Sequence, residues 1–128
     1  MFSSSQTVSN LLYIREWEKA QLPSPKSALA YELFLLVAHH TLSETPLTLD
    51  QLFLSMDYTE TAIRRQLNTL IAGAWCELVA GNSDKRLKHV VATQKMIDLI
   101  DKYGLLFCDL LLQNISAHKK QLTKKAAP

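Results

Sequence analysis

Side chains that suit nucleic-acid recognition recur at helical spacing between residues 61 and 69. At about 100° per residue, Thr61, Arg65 and Asn68 share one face of a helix. Arg64 and Thr69 lie on either side of that face. Arginine, asparagine and threonine side chains hydrogen-bond to base edges and phosphate oxygens, and no carboxylate lies among these five residues. An ordinary solvated helix face has the same composition, so the neighbouring elements must decide between the two interpretations.

A second group of basic side chains follows in a segment rich in turn formers, residues 81–86. This segment and the strand expected after it carry Lys85, Arg86, Lys88 and His89. A basic hairpin tip suits the phosphate backbone or the narrow minor groove of DNA. Asp84 lies two residues before Arg86 and can hold the loop in shape by an ion pair, a role that leaves Arg86 free to face DNA.

The residues before the polar face predict a helix followed by a tight turn. Thr48 and Gln51 have the spacing of a capping box, and apolar residues then recur at helical spacing as far as Met56. The pattern breaks after Met56, which indicates a turn. The sequence leaves open whether Asp57 or Thr59 caps the second helix.

The helix that carries the polar face has an apolar stripe on its opposite side and is followed by two apolar runs. The stripe is typical of a helix that faces a core: Ile63, Leu67, Leu70, Ile71 and Ala74. Cys76–Ala80 and Leu87–Ala92 lie on either side of the turn segment and predict a β-hairpin. Residues 44–93 therefore predict a winged helix-turn-helix, which places one helix in the major groove and a basic loop beside it.

This part of the chain resembles the MarR family of bacterial winged-helix regulators. The family pattern combines a leucine-rich first helix, a Thr/Ser-x-Val-x-Arg helix, a Leu-x-x-x-Gly exit, an Asp-x-Arg wing and a Leu-Thr pair that opens the next helix. The matching segments here are Leu52–Met56, Thr61–Arg65, Leu70–Ala74, Asp84–Arg86 and Ala92–Thr93. The chain departs from the pattern at four positions, with residues other than the usual glycine or leucine: Asp57, Ala74, Ala92 and Met96.

The resemblance implies a sequence-specific DNA-binding transcriptional regulator that acts as a homodimer on a palindromic operator. It implies pairing through the terminal helices, here Leu11–Trp17 and Ile100–Ile115. The candidate contacts to double-stranded DNA are Thr59, Thr61, Arg64, Arg65, Asn68, Lys85, Arg86 and Lys88. MarR-like proteins often bind a small aromatic effector between the dimer helices and the winged helix. The candidate effector contacts are Trp17, Tyr31, His39 and Phe107, although aromatic residues at helical spacing more often belong to a core.

Two helices are predicted before the winged helix. The first covers residues 7–21 and starts at Thr7 or Ser9, after a polar segment that we expect to fray. Ser24 as N-cap and Pro25 as first helical residue predict a second helix that is apolar almost all round and ends near residue 42.

A last helix is predicted from Gln94 over residues 94–118, which Gly104 either breaks or bends. The stretch from Leu105 to Ile115 is unusually apolar and needs a covering surface, from the first helix and from a second subunit. The alternative is that these leucines only complete the core of a monomer. We expect a mainly α fold, a single domain of residues 1–128 with a two-stranded β-wing and dimerisation helices at both ends.

The charge is distributed unevenly along the chain. The net charge of +2 over 128 residues is too small to indicate a partner. Residues 1–63, however, hold three Lys or Arg against seven Asp or Glu, whereas residues 64–128 hold eleven against five. The basic half begins at the helix with the polar face, as expected of a DNA-facing surface, although simple solvation is an alternative for the four lysines of the tail, Lys119, Lys120, Lys124 and Lys125.

The sequence contains no motif that is typical of an enzyme or of a metal-binding protein. There is no Gly-rich phosphate loop, metal-ligand spacing or Ser–His–Asp arrangement, so we expect no enzyme, no metal and no cofactor. Cys76 and Cys108 are expected to act as small buried hydrophobes, with a thiol sensor left open. The absence of an apolar signal core or membrane span predicts a cytoplasmic protein. The alternative function is a winged-helix adaptor that binds another protein within a larger assembly.

Overall fold

The computed structural model describes residues 2–126, with side chains described for residues 2–113. Within that range the chain forms five helices and one three-stranded antiparallel sheet with strand order β1-β3-β2. The elements are α1 (Ser4–Gln21), α2 (Ala28–Leu42), β1 (Leu47–Thr48), α3 (Leu49–Ser55), α4 (Glu60–Ala72), β2 (Cys76–Ala80), β3 (Lys88–Ala92) and α5 (Gln94–Ala126). The mainly α fold with a winged helix-turn-helix is confirmed.

Helix α1 begins earlier than the predicted start at Thr7 or Ser9. Ser3 and Gln6 form a capping box, in which the Ser3 hydroxyl accepts from the Gln6 N–H at 3.1 Å and the Gln6 side chain accepts from the Ser3 N–H at 2.9 Å. Because this box satisfies N–H groups at the helix start, the segment predicted to fray is helical from Ser4.

Helix α2 begins later than predicted. Ser27, not Ser24, is the N-cap, and its hydroxyl accepts from the Ala30 N–H at 3.1 Å. Pro25 lies instead in a turn closed by the Ser27 N–H and the Ser24 carbonyl, 3.2 Å apart. From there α2 forms the centre of the core, with six buried side chains: Leu29, Ala30, Leu33, Phe34, Val37 and Ala38.

The winged helix contains one strand that the sequence did not indicate. Leu47 and Thr48 form β1, whose Cα partners in β3 are Val90 and His89. Thr48 then caps α3 through the predicted capping box with Gln51. Two residues are too few to show the alternation by which a strand is recognised, which is why β1 was missed.

Helix α5 runs unbroken through Gly104 and packs against α1. The rings of Trp17 and Tyr103 meet edge to face at 4.6 Å, and the Tyr103 hydroxyl donates to the buried Glu18 carboxylate at 2.7 Å. This pairing holds the start of the chain against the last helix. The predicted dimer segment ends at Ile115, and its residues after 113 lie outside the described side chains.

Candidate nucleic-acid interface

Helix α4 presents a polar face to solvent because its opposite stripe is fixed in the core. Ile63, Leu67 and Leu70 are buried. The predicted contacts on the other side are exposed: Thr61, Arg64, Arg65 and Asn68. Thr59 caps the helix, so its hydroxyl already accepts from the Ala62 N–H at 3.2 Å. This choice of N-cap settles the alternative with Asp57 that the sequence left open.

Arg64 is held on two sides. Its Nε and Nη2 atoms donate to the same Glu60 carboxylate oxygen at 3.0 and 2.9 Å. Its guanidinium also lies 4.7 Å from the centre of the Phe53 ring on α3. The side chain therefore bridges the two helices of the helix-turn-helix while remaining about half exposed.

The wing loop is shaped by backbone hydrogen bonds. Asp84 Oδ1 accepts from the Arg86 N–H at 3.0 Å, and the Gly81 N–H donates to the Leu87 carbonyl at 2.8 Å. Among the described residues Asp84 makes no ion pair with Arg86, so the proposed ion pair is replaced by this backbone contact. The side chains of Lys85, Arg86 and Lys88 are exposed and project from the loop and the start of β3.

A groove of about 170 Å³ joins α4, the candidate recognition helix, to the wing. Its lining brings together Arg64 from α4 with Arg86 and Lys88 from the wing. The start of α3 supplies the other wall, including the Asp50 carboxylate. Three basic side chains from two elements thus line one groove, so the exposed face of α4 and the wing lie on the same side of the protein.

The end of α4 is bonded to the start of α5. Lys95 Nζ donates to the Gly73 carbonyl at 2.8 Å and lies 4.2 Å from the centre of the Trp75 ring. The Thr93 hydroxyl donates to the Ala74 and Trp75 carbonyls at 2.7 and 2.9 Å. Ala74 was predicted in the core stripe, but it lies beyond the helix, exposed and with φ of 61°.

Solved structures share this arrangement over nearly the full chain. The S. aureus MepR–DNA complex matches with a TM-score of 0.60 at 16% identity, covering 93% of this chain and 95% of that chain. The multiple antibiotic resistance repressor MarR matches with a TM-score of 0.55 at 18% identity, covering 100% and 97%. Bordetella bronchiseptica BpsR, whose DNA binding is regulated by 6-hydroxynicotinic acid, gives 0.51 at 12%, covering 100% and 99%.

This chain has the MarR fold. The predicted resemblance is thereby confirmed at the level of the fold. No family model and no curated protein sequence matches the chain. At identities of 12–18%, the likeness shows the fold of this chain and not its function.

Two departures from the MarR pattern have visible structural consequences. Ala74 occupies the left-handed position that follows the helix, where the pattern has glycine. Met96, also in place of glycine, is fully buried and belongs to the hydrophobic core. The Met96 side chain therefore fills space in the core, whereas Ala74 has a backbone conformation that is strained for a residue with a Cβ atom.

In this MarR fold the terminal helices leave apolar side chains exposed. Leu11, Leu12, Leu105 and Leu112 are each at least 60% exposed. A groove of about 370 Å³ runs along α1 and α5 and is lined by Phe2, Thr7, Asn10, Leu11, Ile14, Phe107, Leu110 and Leu111. These leucines do not complete a core within one chain, which supports the predicted use of the helices as a contact surface.

The four predicted effector contacts are not brought into one cavity. Trp17 packs against Tyr103, and Phe107 lines the groove between α1 and α5. Tyr31 borders a void of about 10 Å³, and His39 is exposed at the end of α2, against the ring of His40. Burial and the Glu18 carboxylate raise the pKa of both Tyr31 and Tyr103, so these hydroxyls stay protonated.

The cysteines differ in their surroundings. Cys76 is buried, and this burial raises the pKa of its thiol to about 11, which disfavours the reactive thiolate. Cys108 is exposed, although it was expected to be buried. In residues 2–113 no cluster of three or more His, Cys, Asp or Glu side chains is arranged to hold a metal ion. No helix in the described part of the chain has the length and apolar character needed to cross a bilayer.

Sequence reasoning missed two residues of this interface. Glu60 lies four residues before Arg64, the favoured order for an ion pair on a helix, and this spacing was available in the sequence. Lys95 contacts Gly73 from the far side of the hairpin. Nothing local indicates that contact, because it depends on how the hairpin returns the chain to the end of α4.

Proposed function

We propose that this protein is a sequence-specific DNA-binding regulator of transcription that acts as a homodimer. The observation that carries the proposal is that the exposed face of α4 and the basic wing lie on the same side of the protein, where Arg64, Arg86 and Lys88 line one groove. Helix and wing cations on the same side are what a winged helix needs to hold one stretch of duplex. The known DNA complex of MepR, which has the same fold, supports this use of the surface.

The exposed residues divide into two roles. Arg65, Asn68 and Thr61 enter the major groove from α4 and contact base edges, where arginine suits guanine and asparagine suits adenine. The Thr59 hydroxyl keeps its hydrogen bond from the Ala62 N–H at the start of α4. The wing side chains Lys85, Arg86 and Lys88 hold the flanking phosphates or the minor groove.

The homodimer places two such surfaces on one duplex. The exposed leucines of α1 and α5 form its contact surface, which matches two half-sites about 34 Å apart on a palindromic operator. Such a regulator works in the cytoplasm, where the DNA is. A small aromatic effector is a further part of the proposal, because MepR has been solved with ethidium bound. Its candidate contact is Phe107, which lines the groove between α1 and α5, whereas Trp17, Tyr31 and His39 do not line that groove.

The proposal is tested by selecting bound duplexes from a random pool and measuring affinity for the selected site. Selection should return a two-fold symmetric consensus. Arg65→Ala should weaken binding to that site by about 1–3 kcal/mol and relax preference at one base. Lys88→Met should weaken all duplexes alike and lower the slope of log K against log salt by about one.

Lys26→Met provides the control. Lys26 is exposed in the loop between α1 and α2, and its substitution removes the same positive charge as Lys88→Met. It should leave both affinity and salt slope unchanged. Equal, weak binding of every duplex, unaltered by Arg65→Ala, would refute the proposal. A stoichiometric protein partner, together with no DNA affinity, would favour the adaptor function instead.

A further inference from the structure

Glu60 places a carboxylate at the first position of the recognition helix. The same carboxylate oxygen accepts from Arg64 Nη2 at 2.9 Å and from Nε at 3.0 Å, while the Phe53 ring supports the guanidinium. Both partners are more than half exposed on their side chains. Arg64 is therefore accessible to DNA but already holds an anion.

The position of Glu60 also affects the helix terminus. The N-terminal end of a helix attracts anions, and phosphates bind readily to its free N–H groups. In α4 that end already has the Thr59 hydroxyl on the Ala62 N–H and the Glu60 carboxylate in the first turn. The effect of Glu60 on Arg64 is therefore the relevant one, because the carboxylate is bonded to that guanidinium and not to a backbone N–H of the helix end.

We infer that Glu60 is a specificity-determining residue that keeps Arg64 from binding phosphates of non-operator DNA. The inference rests on the proposed DNA-binding function. Non-specific affinity comes almost entirely from phosphate neutralisation, so each cation withheld from phosphate lowers it. On an operator the base contacts of Arg65 and Asn68 fix the register, and Arg64 stays paired with Glu60 and stacked on Phe53.

The experiment compares wild type with Glu60→Gln on the selected operator and on a scrambled duplex of the same length, as a function of salt. On the scrambled duplex, Glu60→Gln should bind roughly three- to tenfold more tightly near 0.1 M salt, with a slope steeper by about one. Affinity for the operator should change less, so the ratio of specific to non-specific affinity falls. Adding Arg64→Ala to Glu60→Gln should abolish the gain.

Glu16→Gln is a matched control, because Glu16 forms an exposed ion pair of 2.9 Å with Lys19 on α1. It alters the net charge by the same amount and should leave both duplexes unaffected. An unchanged slope and ratio in Glu60→Gln would overturn the inference while leaving the proposed function standing. A gain that persists without Arg64 would also overturn it, as would a selective loss of operator binding, which would make Glu60 itself a base contact.

If wild type shows no preference for any duplex, the proposed function fails, and the inference about Glu60 fails with it. The two failures are therefore distinguished by the wild-type measurement alone.

Discussion

Ala74 is a residue with a Cβ atom in a backbone conformation that glycine adopts at little cost. Its φ of 61° follows directly on the end of α4, where Gly73 serves as the C-cap. A side chain in this region costs roughly 1–2 kcal/mol through the contact of Cβ with the backbone. The neighbouring hydrogen bonds of Thr93 and Lys95 keep the turn in this conformation.

Ala74→Gly should therefore stabilise the protein by about 1 kcal/mol, measured by urea denaturation. Gly73→Ala, the reverse substitution at the preceding residue, is the variant for comparison. A Cβ on Gly73 would come within 2.8 Å of the Trp75 ring, so Gly73→Ala should lower the free energy of unfolding. A destabilised Ala74→Gly variant would show that the turn is not strained at this residue.

At this scale the sequence predicted which side chains are exposed but not what they contact. The periodicity of α4 is a property of residues a turn apart, so it placed Thr61, Arg65 and Asn68 correctly on the solvent side. The contact of Arg64 with the Phe53 ring joins two helices, and its geometry depends on how α3 and α4 cross. Periodicity carries no information on that angle.

The joint between α4 and α5 is the feature that matters most at the scale of elements. The first turn of α5 contributes Lys95 and the preceding Thr93 to the carbonyls of Gly73, Ala74 and Trp75. These carbonyls lie at or just after the end of α4, where helix carbonyls have no partner of their own and a cation is favourable. The recognition helix is thus fixed at the end opposite its N-cap.

Lys95→Met should lower stability by about 1–2 kcal/mol, through loss of the contact with Trp75 and of the bond to Gly73. Affinity for the operator should fall because α4 is less well anchored. The salt slope of DNA binding should not change, in contrast to Lys88→Met, because Lys95 acts on α4 and not on phosphate. A slope lowered by about one would instead make Lys95 a phosphate contact. Lys102→Met, further along α5, controls for the lost charge.

The start of a helix was predicted correctly where the sequence contains a single clear N-cap residue. Thr48 with Gln51 is the single capping box before α3, and it was predicted correctly. The predicted N-cap of α2, Ser24, was wrong because a turn from Ser24 to Ser27 moves the cap to Ser27. The start of α1 was missed because a capping box of Ser3 and Gln6 was overlooked in a polar segment.

At the scale of the whole molecule, the basic side chains and many of the exposed apolar side chains lie on different elements. The described basic residues of the second half belong largely to α4, the wing and the start of α5. Five of the ten exposed leucines among the described side chains lie on α1 and α5: Leu11, Leu12, Leu105, Leu111 and Leu112. Lys119, Lys120, Lys124 and Lys125 lie outside the described side chains. One region of the protein thus suits a polyanion and another suits an apolar partner.

Leu111→Glu should convert the proposed homodimer to a monomer, measured by sedimentation equilibrium. Leu111 is 52% exposed in one chain and lines the groove between α1 and α5, so a charge there is tolerated by the monomer but not in an apolar interface. Far-ultraviolet circular dichroism should remain unchanged. Leu54→Glu, at an 88% exposed position on α3, should remain dimeric. A dimeric Leu111→Glu variant would place the interface elsewhere.

Because α5 is a single helix that continues through Gly104, a tilt of this helix moves the end that is attached to α4. The 33 residues of α5 give it a length of about 50 Å at a rise of roughly 1.5 Å per residue. One end is attached to α4 through Lys95, and the other half carries the leucines that face the proposed partner. A tilt of each copy of α5 by about 8° about Leu110 shifts the start of the helix, about 24 Å away, by about 3.4 Å, the rise of one base pair. In the proposed homodimer, a ligand that altered the crossing angle of the two helices by this amount would move both copies of α4 without contacting either.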